Sequence, residues 1–470
     1  MVVNFNITDI LASTAKSSSI TLPSYKENQI KISFESADEI ITEYNGKEPA
    51  LPFAVSEVFE ADIQDCRRLT AVDDGCKAAY EITFDITGSK FAFRPGDTIG
   101  IIAHNESREV EAIIDQLDLT SLADVQYTLC NSSKGGKIPV HIPAKSTIRH
   151  VLTHCCDIRS VLKKLFLLAL SRHTKDENER KILEYLCSKE GATAYTTHIL
   201  NKHFCILDLF ATFKSCQPPV EILLANLPRL LPRPYSIVNS GLNPNILKMC
   251  FSVTELAHNR VGLVTGWLQR IINSKNNIED KLKSLTIDDC NMNTKVPIYL
   301  RKNMSGFSPP ENLEIPLILI GPGTGVAPYL GFLEERQDLK EKQSGVKSGA
   351  VWMFFGCRNP KLDFIYENEL NGFLENRIIN ELITSFSRIE NGCGNKYIQD
   401  GIMQNGEQLV KLISEGATIF VCGDMKNMAV QVRDAFVKCI VKYQKKTEED
   451  AEKVIANMQT GKRYLVDAWS

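Results

Sequence analysis

The period of the apolar positions changes several times along this chain, and the changes divide it. Residues 1–48 sustain no periodicity and read as an extended arm, linker or partner-facing tail. From Leu51 the texture is β-like: residues 79–86 (AYEITFDI) alternate apolar and polar positions, as a half-buried strand does. Phe93-Arg94-Pro95-Gly96-Asp97 supplies a turn and residues 98–103 a second strand, a combination that predicts an antiparallel barrel. From Ser107 the period lengthens to that of helices, over 109–117, 146–152 with Ser146 as a possible cap, 159–170, 179–188 and 194–210. This block, about 107–226, interrupts a β texture that resumes at Pro232. It is therefore predicted to be an insertion in the barrel rather than a unit of its own, with its leucines and aromatics in a core.

The β texture returns at 235–238 and at 247–256 (LKMCFSVTEL), followed by a glycine-marked helix start at 262–268. Residues 273–293 are polar and lysine-rich, which suits an exposed loop or short helix. From Glu314 strands and helices alternate to the end, with apolar strands over 315–320, 350–356, 382–387 and 417–422. Such alternation implies a parallel sheet covered on both faces. The expected fold is thus multidomain, α/β and β: an antiparallel barrel with a helical insertion over 49–312, then a doubly wound parallel-sheet domain over 313–470.

Composition adds exclusions. A net charge of −3 over 470 residues gives no basic excess for nucleic acid. The start MVVNFNITDILAS lacks a basic, apolar leader, no segment is apolar for the ~18 residues a membrane span needs, and the ending DAWS is no lipidation box. The 14 cysteines include no C-x-x-C pair that would suggest zinc or a redox dithiol. A cytoplasmic protein with reduced thiols, no metal and no membrane or nucleic-acid partner is expected.

Candidate chemistry sits at strand ends. In residues 315–328 (IPLILIGPGTGVAP) an apolar strand breaks into Gly321-Pro322-Gly323-Thr324-Gly325 before a helical pattern. The spacing is not G-x-G-x-x-G, so the loop reads either as an ordinary turn or as a phosphate cradle at a helix N-terminus. The second strand runs into Gly356-Cys357-Arg358, without the acid that an NAD unit uses to hold the adenosine ribose. The third ends in Ser385-Phe386-Ser387-Arg388, followed by Lys396-Tyr397-Ile398-Gln399. A hydroxyl and a guanidinium there fit a 2′-phosphate, and a tyrosine can stack on adenine, which favours NADPH over NADH; the alternative is a solvated turn.

A second cluster is Arg233-Pro234-Tyr235-Ser236. Pro234 biases Arg233 toward extended backbone and Tyr235 starts a strand, so Arg233 can pair with a phosphate while Tyr235 lies against an aromatic ring and Ser236 bonds its edge. Downstream, Gly262-Leu263-Val264-Thr265 opens a helix, a second anion site suited to a pyrophosphate. Together, in this order, they suggest FAD. Cys422-Gly423-Asp424 ends another strand, where ligands bind in such sheets, although a buried strand-end cysteine is usually structural. Trp469, next to the last residue, is unexpected at a fraying end unless it packs on something such as a flavin face.

The ordered set RPYS, GLVT, GPGTGVAP, FFGCR, SFSR, KYIQ, VCGD and KRYLVDAWS resembles the diflavin reductases of the ferredoxin–NADP reductase superfamily, over about residues 50–470. A narrower resemblance rests on Ser215-Cys216-Gln217-Pro218-Pro219, Arg233-Pro234, Gly262-Leu263 with Thr265-Gly266-Trp267, and the ending. It is to the branch that reactivates cobalamin-dependent methionine synthase. The resemblance implies that Arg233, Pro234, Tyr235 and Ser236 hold FAD, with Cys250, Phe251 and Ser252 lining the flavin strand and Gly262, Leu263, Val264 and Thr265 at its pyrophosphate. Gly323, Thr324 and Gly325 would cradle the NADPH pyrophosphate, beside Cys357 and Arg358. Ser387, Arg388, Lys396, Tyr397, Ile398 and Gln399 would recognise the 2′-phosphate end. Ser236, Cys422 and Asp467 would orient nicotinamide against flavin for hydride transfer, and Trp469 would stack on the flavin and move aside.

Two departures from the family pattern matter. Gln431 stands where relatives usually carry an Asp that touches the cofactor, and the 48 residues before the barrel are too few for a flavodoxin-like domain of ~150 residues. FAD and NADPH, but not FMN, are therefore expected on this chain. Electrons would pass from FAD to a protein acceptor, either methionine synthase or a separate flavodoxin-like FMN protein. The alternatives are a cytochrome- or flavodoxin-type reductase with another acceptor, and a non-catalytic binding paralogue.

Overall fold

The computed structural model describes residues 20–25, 30–34, 49–73, 75–131, 138–256, 260–283, 295–343, 345, 347–389, 394–424 and 428–469, the side chains of 130–131, 276–283, 424 and 468–469 excepted. In chain order the strands are β1 (Ile30–Phe34), β2 (Phe59–Arg68), β3 (Ala79–Asp85), β4 (Thr98–Ile101), β5 (Gln126–Asn131), β6 (Lys145–Thr147) and β7 (Arg233–Ser236). There follow β8 (Ile246–Ser252), β9 (Lys295–Arg301), β10 (Leu317–Ile320), β11 (Val351–Cys357), β12 (Glu381–Phe386), β13 (Thr418–Asp424) and β14 (Tyr464–Trp469).

β7-β4-β9-β2-β3-β8 form one six-stranded sheet whose pairs are all antiparallel. Ile237, just past β7, bridges Met249 in β8, and Val238 N donates to Lys248 O at 2.8 Å, so the two edge strands meet and the sheet closes as a barrel. Closure removes the unpaired edges that an open sheet would leave. The R-P-G-D turn does not join a hairpin, because β9 and β2 lie between β3 and β4. Nor is β3 half-buried as its alternation predicts. All its residues but Asp85 are buried, and its polar Glu81 is accommodated by an ion pair with Arg67 at 3.0 Å.

Contacts divide the chain into two compact units: Met1–Leu51, Ala103–Pro232 and Thr254–Leu263 in one, and Pro52–Ile102, Arg233–Val253 and Val264–Ser470 in the other. The helical stretch is thus inserted in sequence yet has its own core, in which Val110, Ile113, Leu152, Leu167, Leu186 and Leu223 are buried. The segment predicted as an arm contributes to it, since β1 pairs with β5 in a small antiparallel sheet. Several predicted helices are corrected. Residues 145–147 are strand, and the cap of the following turn is Thr147, whose hydroxyl accepts from His150 N, not Ser146. The helix expected over 159–170 starts only at Lys164, because Arg159 is held in a loop by Glu106 and Glu109. The pattern over 194–210 breaks into the turns Ala192–Tyr195 and Thr196–Leu200 and a separate helix, Ile206–Thr212, capped by Asp208 bonding back to Cys205 N.

In the second unit β12-β11-β10-β13-β14 form a five-stranded parallel sheet. Leu317, Leu319, Met353, Phe355 and Phe420 face one apolar layer, and Ile318, Ile320, Phe354, Ile419 and Val421 face another, so both sides are covered. That is why these strands read as continuous apolar runs. The first layer includes Val238 and Cys250 of the barrel. β14, absent from the sequence-based expectation, extends the sheet beside β13. The expected loop or short helix at 273–293 is partly corrected, since the helix Leu263–Lys283 runs on from the glycine-marked start, and 284–294 lie outside the described residues. Among the described residues no helix is long and apolar enough to cross a membrane.

β10 leads through the turn Gly323–Val326 into the helix Ala327–Lys342. A Cβ on Gly325 would lie 2.2 Å from Cys422 O, so only glycine lets this turn rest against β13. Gly325→Ala is expected to cost about 2–3 kcal/mol in urea denaturation, the penalty of overpacking a tight contact; an unchanged midpoint would contradict the close approach.

Candidate active site

The carboxyl ends of a parallel sheet are where ligands bind in doubly wound folds, and here they open on a cavity of about 420 Å³. Pro322, Gly323 and Thr324 line it from the loop after β10, and Gly356, Cys357 and Arg358 from the end of β11. Gly323 takes a positive φ of 53°, and a Cβ added there would meet nothing within 4 Å, so this turn presents bare backbone. The helix that follows directs the positive end of its dipole toward the same loop. Ser387, Lys396, Tyr397, Ile398, Gln399 and Gln431 complete the predicted lining. Lys396 Nζ lies 5.6 Å from the centre of the Tyr397 ring, and Gln399 Nε2 donates to Gln431 Oε1 at 3.1 Å.

Two predicted residues are placed elsewhere. Gly325 is buried against β13 and does not line the cavity. Arg388 is exposed and outside the lining, its backbone N donating to Arg358 O at 2.9 Å. No acid ends the second strand, but Asp363, farther along the chain, reaches the cavity wall. Its carboxylate accepts from Asn359 N at 2.7 Å and Arg358 N at 3.2 Å, one bond to each oxygen, so it serves the backbone of the turn. Burial, reinforced by Asp363, pushes the Cys357 thiol far up, and it stays protonated.

The barrel supplies cavity residues that no motif marked. Thr70, Lys77 and Ala79 come from the β2–β3 hairpin, which is tied down by Ala71 N donating to Leu362 O at 2.8 Å. A loop without periodicity carries no sign in sequence of what it will dock against. Asp363 was likewise missed, and Ser385, quoted with its strand end, was given no role of its own.

A second group of predicted residues sits on β7, β8, β13 and β14. β7 carries Arg233, Pro234, Tyr235 and Ser236 antiparallel to β4. Tyr235 stands edge-on to Phe251, with ring centres 6.5 Å apart, and Phe251 stacks on Tyr80 at 5.7 Å. Burial raises the Tyr235 phenol, which stays neutral. The strand alternates, so Phe251 joins these aromatics while Cys250 turns to the layer shared with the parallel sheet and Ser252 to the cavity. Burial pushes the Cys250 thiol up to about 12.

Ser236 Oγ donates to Asp467 Oδ2 at 3.1 Å. Asp467 is paired in register with Cys422 across β13 and β14, which brings three of the four predicted catalytic residues together. Burial raises the Asp467 carboxyl, opposed by the Ser236 hydrogen bond and by Arg301, a residue the sequence did not single out. Cys422 is wholly buried and its thiol is pushed well above the usual range by burial and then by Asp467. The set brings a neutral thiol and a carboxyl of the parallel sheet together with a hydroxyl of the barrel sheet, groups able to orient a polar ring edge. The backbone of Trp469 closes β14 opposite Asp424, but its side chain lies outside the described residues. At the other predicted anion site, Leu263 opens the helix Leu263–Lys283 and Gly262 N donates to Thr254 O at 2.7 Å. Arg159 donates to Val261 O at 2.8 Å while paired with Glu106 and Glu109, which pins the chain just before that helix.

Residues 51–267 match the FAD binding domain family and residues 319–434 the oxidoreductase NAD-binding domain family. The chain thus carries an FAD-binding domain followed by an oxidoreductase NAD-binding domain. It is similar to methionine synthase reductase of Rattus norvegicus, 36% identical over 438 residues that cover 90% of this chain and 62% of that one. The same protein of Homo sapiens is 37% identical over 435 residues, 88% of this chain and 61% of that one. NADPH--cytochrome P450 reductase of Musca domestica is 32% identical over 427 residues, 89% and 60% of the two chains. The chain thus spans about three fifths of the length of the curated relatives it matches. The residues present fit both cofactors of such a reductase: bare backbone and a lysine at the dinucleotide cavity, and an arginine, a tyrosine and a serine on the flavin strand.

Because the folded Asp467 holds its proton more tightly than the unfolded one, its stabilising contribution is complete below the ordinary carboxylate range and is lost as pH rises through the folded value. Asp467→Asn is therefore expected to melt higher than the parent protein near neutral pH, with the gap shrinking in acid. A gap that stays constant from pH 4 to pH 8 would contradict this environment.

Proposed function

We propose that this chain is the NADPH-dependent FAD reductase part of an electron-transfer flavoprotein. The observation that carries the reading is the Ser236–Asp467 hydrogen bond beside Cys422, at the end of the same sheet whose cavity carries Ser387 and Lys396. FAD, when bound, supplies the chemistry that couples a two-electron nicotinamide donor to one-electron acceptors. The chain's own residues bind and orient. Arg233 holds a flavin phosphate, Tyr235 packs on the ring system, and Ser236, Cys422 and Asp467 fix the nicotinamide edge. Burial of the thiol and carboxyl keeps bulk water from that edge. Trp469, following the family resemblance, covers the flavin face until nicotinamide replaces it.

Preference for NADPH over NADH rests on Lys396, Ser387 and Tyr397 at the cavity, with Arg388 beside them in sequence, and on Asp363 being engaged by backbone rather than offered to a ribose. The acceptor is a protein. The similarity to methionine synthase reductases supports methionine synthase, served directly or through a separate flavodoxin-like FMN protein, in reductive reactivation of the cobalamin enzyme and hence in methionine and homocysteine metabolism. A second reading, transfer to a cytochrome, is favoured by the similarity to NADPH--cytochrome P450 reductases at nearly equal coverage.

Purified protein is expected to carry FAD, to bleach on addition of NADPH and to reduce ferricyanide. Protein that binds FAD but does not bleach with NADPH would overturn the reading. Reconstituted transfer to methionine synthase and to a cytochrome P450, each with and without an added FMN protein, separates the two acceptors. Lys396→Ala should raise the KM for NADPH about tenfold, the loss of one charge-assisted contact to phosphate, and leave that for NADH unchanged. Trp469→Ala should move the ratio of kcat/KM values toward NADH, measured on both nucleotides in the same assay.

A further inference from the structure

One hydroxyl in the dinucleotide cavity is buried and has nothing to bond. Ser385 is only 2% exposed, it lines the cavity, and its Oγ has no hydrogen-bond partner among the described residues. Buried polar side chains are nearly always paired, because an unpaired one forfeits its hydrogen bonds to water. In β12 it pairs in register with Gly356 of β11, so the neighbouring strand places no side chain beside the hydroxyl. On its other flank it bridges Asn395 through backbone, leaving the side chain uncommitted. Ser385 therefore lies at the floor of a space that the sequence keeps open.

Position decides which part of a dinucleotide would reach it. Ser387 follows directly after β12 ends at Phe386 and stays beside β11, its N donating to Cys357 O at 3.0 Å, and it lines the same cavity as Ser385, Lys396 and Tyr397. A nucleotide with its 2′-phosphate at Ser387 and Lys396, and its diphosphate at Gly323 and Thr324, carries its adenosine ribose-phosphate between them. We infer that Ser385 is a further nucleotide-binding residue, whose hydroxyl pairs with a sugar-phosphate oxygen of the adenosine half. This rests on the NADPH reading of the cavity and adds to it a contact that is unpaid in the free protein and satisfied only by ligand.

The unpaired state gives the test two readouts of opposite sign. On the full chain, Ser385→Ala should weaken 2′,5′-ADP about tenfold by calorimetric titration, the equivalent of one lost hydrogen bond, and leave nicotinamide mononucleotide unaffected. The melting temperature of the ligand-free protein should hold or rise, because alanine removes a polar group that nothing satisfies. Ser385→Val, which adds bulk at the same floor, should abolish 2′,5′-ADP binding without lowering that melting temperature. Equal 2′,5′-ADP affinities for parent and Ser385→Ala would overturn the inference while leaving the NADPH reading intact. So would a ligand-free Ser385→Ala protein that melts several degrees lower, since the hydroxyl would then have a structural partner. A parent protein that binds neither 2′,5′-ADP nor NADP⁺ would overturn both.

Discussion

The hydrogen bond from Ser236 to Asp467 joins residues 231 positions apart and sets conditions on much of the fold between them. For Asp467 to arrive, the C-terminal residues must add β14 to the parallel sheet beside β13, in the register that puts Asp467 next to Cys422. For Ser236 to meet it, β7 must lie at the edge of the barrel sheet, held by β4 and closed onto β8 by the Ile237–Met249 bridge. The contact places a carboxyl where burial disfavours its charge, with Arg301 and the serine hydroxyl offsetting part of that cost. A charge kept in a partly dry site is a cost to stability that purely structural packing would avoid, and it is the kind of arrangement found where chemistry requires it.

The same joint forms the cavity at the strand ends. Strand ends of the parallel sheet provide the loop of Gly323 and Thr324 and the polar residues after β12, while the β2–β3 hairpin of the barrel provides Thr70 and Lys77. Arg67 at the end of β2 reinforces this joint, paired with Glu81 of β3 and with Glu369 of the helix Glu367–Glu375 and placed 5.5 Å from the centre of the Tyr366 ring. Being nearly half exposed, that network contributes modestly to stability. Its value is positional, because it fixes the strand and hairpin that line the cavity.

The helical unit has a different task. Its core is independent of the barrel's, and its polar interior is spent on holding loops: Asn105 Nδ2 donates to Leu152 O and Cys156 O, both at 2.7 Å, and Arg159 links Glu106 and Glu109 to Val261 O. The second of these immediately precedes Gly262. An arginine with two carboxylates thus holds the backbone still at the start of the helix Leu263–Lys283.

What the sequence determined by itself was whatever local chemistry specifies. Continuous apolar runs required a parallel sheet buried on both faces, glycines at 321–325 required a tight strand-to-helix turn, and RPYS, KYIQ and VCGD named residue types suited to phosphate, ring and ring edge. The barrel, the sheet and most of the cavity lining were legible on that basis. Tertiary structure decided the rest. Thr147 replaced Ser146 as a cap because residues 145–147 were drawn into a strand with β5, and Arg388 fell outside the cavity that admits Ser387. β14 formed from residues that looked like a fraying end, because an open parallel edge at β13 paid their ordering entropy with a full ladder. Thr70, Lys77 and Arg301 carry no sequence sign, since a residue's partner across hundreds of positions is set by where strands stack and not by its neighbours in the chain.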